Sequence, residues 1–300
     1  MRRITHPVAV LALVAVALSA CGDDGRPDAG DRFDGQAALA DVEAQVGLGP
    51  RPSGSSSSRE TVRLIADRLR EAGVEDVRVQ RPHANVVGTI PGSEPGAVVV
   101  GAHHDTKARV PGFVGANDGA SGVAVVLGLA ESLPRPLDGP SIHLALFDAE
   151  EARGERDFEA DGTRGSRQYV AYAEAGGRQG SPPLAAIRAT VVFDMVGDCD
   201  LQIPREAGSD PGLYELFAEG AAQATGAPVP FTGETGQILD DHVPFRERGI
   251  PALDLIDFSF GPGPAPGGLW HTAGDTFDRV CAASLDAVGE AAIRAIPAIR

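Results

Sequence analysis

The chain has 300 residues, 43% of them hydrophobic, and its 42 acidic side chains outnumber 26 basic ones to give a formal net charge of -16. Such a surface repels nucleic acid and anionic lipid, which excludes DNA, RNA and acidic headgroups as natural partners. The length suits one large domain with a substantial core, and no Pro-, Ser- or Gly-rich linker, internal repeat or heptad pattern divides it.

The first element reads as a secretory signal. Basic Arg2 and Arg3 precede an apolar run from Pro7 to Leu18, too short to span a bilayer comfortably. The sequence Leu18-Ser19-Ala20-Cys21 resembles the bacterial lipobox, which implies that Cys21 is acylated and becomes the first mature residue. The expectation is an exported lipoprotein of the cell membrane, facing away from the cytoplasm and touching the membrane only through its lipid. Residues 1–20 are then the signal, the Asp- and Gly-rich stretch 21–35 a flexible tether, and residues 36–300 the folded catalytic domain. Loss of Arg2 and Arg3 with no acid takes the mature charge to -18. The two remaining cysteines, Cys199 and Cys281, are either one disulfide or two buried thiols.

Within the domain, the apolar spacing of Val62, Leu64, Ile65 and Leu69 predicts a helix over Ser56 to Glu71, behind serines able to cap it. Val74 to Val79 and Asn85 to Ile90 read as strands, and the continuous apolar run Ala97 to Ala102 as a buried strand. A buried helix follows over Ser121 to Leu133. Strands are expected at Ser141 to Phe147 and Ala189 to Phe193, separated by a helix near Ser166 to Ala175. Tyr214 to Thr225 reads as a helix, Ala252 to Ile256 as a strand, and Ala282 to Ile299 as a closing helix. Strands alternating with helices predict an α/β fold, a three-layer α/β/α sandwich around a mixed, largely parallel central sheet.

Polar residues gather just beyond these strands: His103, His104 and Asp105; Asn117 and Asp118; Asp148, Glu150 and Glu151; Asp194; Asp240, Asp241 and His242; and Trp270, His271 and Asp275. Each cluster alone is explained by helix caps or solvated turns. Together they sit at the sheet edge where α/β proteins form sites, and they supply the imidazole and carboxylate set that zinc accepts. So many carboxylates in one place also call for a neutralising cation.

The stretches Gly101-Ala102-His103-His104-Asp105-Thr106, Gly115-Ala116-Asn117-Asp118-Gly119, Glu150-Glu151, Asp194-Met195-Val196-Gly197 and Trp270-His271-Thr272 resemble the zinc aminopeptidase family that also contains the animal-type glutaminyl cyclases. The resemblance runs over about residues 50 to 300, in the family's order. It implies a metal site of Asp118, Glu151 and His271, with Glu150 free beside it as proton carrier, Asp194 and Asp240 as further catalytic carboxylates, Trp270 as a substrate-binding wall and Asp105 orienting His103. Three features lean toward the cyclase: Asp240 directly before Asp241-His242, the segment Ala152 to Arg164 inserted after the paired acids, and the wording around Thr106-Lys107 and Phe113-Val114. Phe245, Phe258 and Phe260 are candidates to complete the wall.

The resemblance thus implies a zinc-dependent glutaminyl-peptide cyclotransferase with one zinc, acting on peptide or protein N-termini. The alternative is a two-zinc aminopeptidase using His103 and Asp194 as additional ligands, since all five of its positions are present. A peptide-binding lipoprotein with an inactive site is the third reading, and the retained Glu150 argues against it.

Overall fold

The computed structural model describes Met1 and residues 32–154, 156–224 and 230–300. The expected signal, the acylated Cys21 and most of the tether lie outside the described residues. Among those described, no helix is long and apolar enough to cross a membrane.

Six strands form one sheet: β1 (Glu75–Val79), β2 (Val86–Ile90), β3 (Gly92–His103), β4 (Leu137–Phe147), β5 (Ile187–Asp194) and β6 (Ala252–Ile256), in the spatial order β1-β2-β4-β3-β5-β6. The first two pairings are antiparallel; the β4–β3, β3–β5 and β5–β6 pairings are parallel. The four parallel strands therefore deliver their carboxyl ends to one edge. That edge carries His103, Asp148, Asp194 and the chain that follows Ile256.

The eight α-helices among the described residues are α1 (Gly35–Val46), α2 (Ser56–Glu71), α3 (Ala120–Ser132), α4 (Phe158–Asp161), α5 (Arg164–Glu174), α6 (Pro211–Gln223), α7 (Val243–Arg246) and α8 (Ala282–Ala295). Two buried clusters on opposite faces of the sheet make the sandwich. In β3, Val98, Val100 and Ala102 join the cluster under α1, α2, α3, α6 and α8, whereas Val99 joins the one under α5 and α7. In β4, Leu144 and Leu146 face the first cluster, and Ala145 and Phe147 the second. The continuous apolar run is needed because a strand buried on both faces exposes neither set of alternating side chains.

Helix α3 lies unusually close to β5, because a Cβ at Gly122 would stand 2.0 Å from the Phe193 carbonyl oxygen. Its approach seats the Asn117–Gly119 turn against Asp194. Gly119 itself adopts φ 101°, a conformation that a side chain resists.

Most elements overlap their expected ranges, but β3 and β4 begin earlier, at Gly92 and Leu137 rather than Ala97 and Ser141, and the short helices α4 and α7 were not expected. The closing helix ends at Ala295 and continues as a 3-10 turn over Ile296–Ala298, where Pro297 has no amide hydrogen to donate. The first helix, α1, begins inside the expected tether. Asp34 caps it through the Ala37 N–H, and Phe33 is 3% exposed, with its ring over Gly128 and Gly289. Glu290 of α8 accepts the backbone N–H groups of Arg32 and Phe33, so the chain is already fastened to α8 at residues inside the expected tether.

Cys199 and Cys281 form a disulfide across 82 positions, beside a backbone hydrogen bond from Cys281 to the Gly197 carbonyl. It fastens the chain leaving β5 to the start of α8. Replacing both cysteines by serine is expected to lower unfolding stability by about 2–4 kcal/mol, measured by denaturant titration; unchanged stability would show that packing alone holds the junction.

Candidate active site

Two groups of potential ligands share one carboxylate. His103, Asp118 and Asp194 form the first, and Asp118, Glu151 and His271 the second, with the ligand atoms of each group within 4.8 Å of one another. Asp118 joins them with its two oxygens: Oδ1 is 3.3 Å from His103 Nε2, and Oδ2 is 3.4 Å from His271 Nε2. His103 Nε2 is also 3.1 Å from Asp194 Oδ1, and His271 Nε2 is 2.9 Å from Glu151 Oε1. The structure thus brings together all five expected ligand candidates from five separate segments.

Backbone geometry aims these groups. Ala149, Met195 and His271 all have positive φ, at 60°, 50° and 51°. Ala149 and Met195 lie just beyond the ends of β4 and β5, and His271 in the loop after β6; such conformations are costly for residues with a Cβ. The Asp275 carboxylate accepts the N–H groups of Asn117 and Asp118 at 2.8 and 3.1 Å, gripping the turn that carries the carboxylate shared by the two groups. The Asn117 side chain in turn accepts the Gly197 N–H at 2.8 Å, linking that turn to the one after Asp194.

Beneath the site lies Arg51, fully buried. Its guanidinium donates to the carbonyls of Val114 at 2.6 Å, Gly115 at 2.9 Å and His104 at 3.3 Å, so one cation ties the loops on both sides of the site. Burial lowers its pKa to about 10, against the opposing pull of Asp275, Asp105 and Asp118. Lys107 supplies a second cation, 3.2 Å from Glu151 Oε2.

These cations do not balance the acids. Glu150 is buried, and desolvation holds its carboxyl well above the usual range, aided by the charges of Glu151, Asp240 and Asp241. Asp240 is pushed up to about 7 by burial and then by the charge of Asp194. Burial opposes the charged form of both histidines, yet Asp194 drives His103 well above its ordinary value and Glu151 raises His271. Protons on the imidazoles are thus one way to balance the cluster. A bound metal ion is another, since it requires the same groups deprotonated. The donor set fits zinc, and Asp118 Oδ2 is buried without a hydrogen bond.

Asp105 lies 3.7 Å from His103 Nδ1, beyond hydrogen-bond length, while its oxygens accept the N–H groups of Glu150 and Glu151 at 3.0 and 3.4 Å. Asp105 thus fixes the paired acids while facing the Nδ1 side of His103 at ion-pair distance.

A cavity of about 320 Å³ opens onto Asp118, Glu150, Glu151, Asp194 and Asp240. Trp270 lies along it, stacked on His271 with ring centroids 3.8 Å apart, and Phe258 meets Trp270 edge-on at 5.5 Å. Of the other expected aromatics, Phe260 is fully buried behind the wall with Met195 and Ile256. Phe245 is turned away altogether, because α7 packs it against Phe147 and Tyr169 in the core cluster on the far face. Phe158 also lines the cavity, a position that sequence reasoning missed although it lies within the noted insertion. Asp161 secures that insertion by accepting the Arg153 N–H at 2.8 Å and its guanidinium, while Arg164 reaches the Glu151 carbonyl at 3.1 Å.

Residues 85–296 match the sequence pattern of Peptidase family M28. The glutaminyl-peptide cyclotransferase-like protein of Mus musculus is 32% identical over 216 residues, 64% of this chain and 54% of its own length. The match therefore spans about half of that relative. The glutaminyl-peptide cyclotransferase of Bos taurus is 26% identical over 79% of this chain and 74% of its own. Among solved structures, an Acidobacteriales bacterium glutaminyl cyclase superposes with TM-score 0.79 at 31% identity, covering 96% of this chain and 99% of that one. The glutaminyl cyclase of Porphyromonas gingivalis gives 0.75 at 30% identity over 89% and 98%.

Replacing Asp275 by alanine strips acceptors from two backbone donors, each costing about 1–3 kcal/mol when left unpaired. The expected outcome is a clear loss of stability by denaturant titration and zinc affinity weakened about 10- to 100-fold in competition with a chelating dye. Unaltered zinc binding would mean that Asp118 holds its place unaided.

Proposed function

This chain belongs to peptidase family M28, and we propose that within it the protein is a zinc-dependent glutaminyl-peptide cyclotransferase, converting the N-terminal Gln of peptides to pyroglutamate with release of ammonia. The observation that carries this reading is the location of Asp240, 2% exposed, on the same cavity as Glu150 and Asp194. The solved glutaminyl cyclases that match nearly the whole chain support the same choice.

Asp118, Glu151 and His271 are the residues that would hold one zinc ion. Bound there, zinc would supply Lewis acidity toward the side-chain carbonyl of the substrate glutamine. The cavity, walled by Phe158, Phe258 and Trp270, suits one uncharged side chain stripped of water, and the carboxylates at its floor attract the peptide's amino terminus. Closure of the five-membered ring forms a bond from the α-nitrogen to the side-chain amide carbon and breaks that carbon's bond to the amide nitrogen. The α-nitrogen loses one proton and the departing nitrogen gains one. Glu150, with its carboxyl held well above the usual range by burial, is the carrier that takes the first and returns it. Asp194 and Asp240 hold the nitrogens while this exchange takes place.

A second reading has its own support. The group His103, Asp118 and Asp194 offers a second cation position that shares Asp118 with the first. That arrangement fits a two-zinc aminopeptidase, in which the product is a free amino acid. Export and acylation of Cys21 remain part of the proposal on the strength of the N-terminal sequence.

The two readings differ in product and metal count. Gln-initiated peptides should yield ammonia, with about one zinc per chain. Glu150→Gln should keep its zinc while turnover falls by about 10²- to 10⁴-fold. Dialysis against a chelator should abolish turnover and added zinc restore it. Amino-acid release with two zincs would overturn the cyclase in favour of the aminopeptidase, and silence on both substrates with zinc bound would leave a binding protein.

A further inference from the structure

Behind Asp240 lies a second polar cluster that neither the cavity nor the expected ligand set uses. Asp254 on β6, His242 before α7 and Glu206 are each 0% exposed. His242 stands between the two carboxylates: Nδ1 is 3.5 Å from Asp254 Oδ2, and Nε2 is 3.5 Å from Glu206 Oε2. Neither ring nitrogen and neither Asp254 oxygen has a hydrogen-bond partner within ordinary limits. Asp240, His242 and Asp254 offer atoms within 4.8 Å of one another, so the chain of groups ends on the carboxylate that lines the cavity.

Glu206 anchors the far end. Its Oε1 accepts the Gly208 N–H at 2.8 Å and the Ile238 N–H at 3.0 Å, and its Oε2 accepts the Ser209 hydroxyl at 3.1 Å. The Ser209 oxygen in turn accepts the Asp254 N–H at 3.0 Å. One carboxylate thus grips the backbone two residues before Asp240 and, through Ser209, the strand residue behind it. Buried polar groups with so few alternatives are held in place by one another.

We propose that Glu206 and His242 are positioning residues: through Asp254 and the backbone at Ile238 they hold the Asp240 carboxylate at the cavity. The inference rests on the reading that Asp240 acts in that cavity. Neither residue touches the cavity, so a purely structural role would lower stability without selectively lowering kcat.

The test is a double-variant cycle on the full chain, with His242→Ala, Asp240→Asn and their combination assayed on whichever of a Gln-initiated peptide and an aminoacyl substrate is turned over. Glu206→Gln and His242→Gln are measured beside them, with thermal melting and zinc content for all. His242→Ala should lower kcat about 10- to 100-fold, the range of supporting partners of site residues, with KM within about twofold. His242→Gln should recover part of it, and the combination should be no slower than Asp240→Asn alone. Should His242→Ala fail to fold, Glu206→Gln decides by the same kcat criterion. Losses that multiply in the combination, or wild-type kcat in folded His242 and Glu206 variants, would overturn the proposal while Asp240 keeps its role. Wild-type kcat in Asp240→Asn would overturn the role of Asp240 and the proposal with it. A zinc equivalent lost on removing His242 would overturn positioning in favour of a further metal site.

Discussion

Negative charge withdrawn from water governs the carboxyl edge of this sheet. Asp105, Asp118, Glu150, Glu151, Asp194, Asp240, Asp254 and Asp275 are all buried there, and an isolated carboxylate in such surroundings is far too costly to persist. The fold meets this constraint in three ways. Backbone N–H groups face Asp105 and Asp275, cationic Arg51 and Lys107 stand among the loops, and His103 and His271 lie between Asp118 and the carboxylates of Asp194 and Glu151. What these leave unbalanced falls on the two oxygens of Asp118 and their neighbours, the place best suited to a divalent cation.

The same constraint separates two kinds of acid. Glu151, which faces both His271 and Lys107, has its carboxyl held below the ordinary value despite its burial. Glu150 has only distant partners, the nearest being His103 Nδ1 at 3.9 Å, and its carboxyl stays high. Adjacent residues on one turn thereby acquire opposite habits, one suited to holding a cation and the other to carrying a proton.

Much of the architecture was legible in the sequence because the elements obey simple periods. The bounds of α2 and β6 match their expected ranges, and the alternation along Val98 to Ala102 sorts into two faces as a doubly buried strand must. The helix α1 was not legible. Its buried positions are mostly small or polar, such as Gly35, Ala38, Asp41 and Gln45, and it is held by α3 and α8 rather than by an apolar stripe of its own. In the site, the gathering of His, Asp and Glu was legible, because imidazoles and carboxylates placed just beyond several strands stand out in the sequence. Phe158, Arg51 and Glu206 were not, since an ordinary Phe, Arg or Glu gains its meaning only from what the fold sets beside it. The choice of Phe245 failed for the same reason: its place in the sequence says nothing of which face α7 turns inward.

The covalent bond between Cys199 and Cys281 encloses the pieces of chain that bring Asp240, Asp254, Trp270 and His271 to the edge, whereas His103, Asp118, Glu151 and Asp194 all precede it. A protease that cuts once inside this enclosed stretch produces two fragments that remain one molecule. In surroundings rich in peptidases, a nicked copy therefore keeps its two half-sites tethered within reach of each other, and only reduction would let them drift apart.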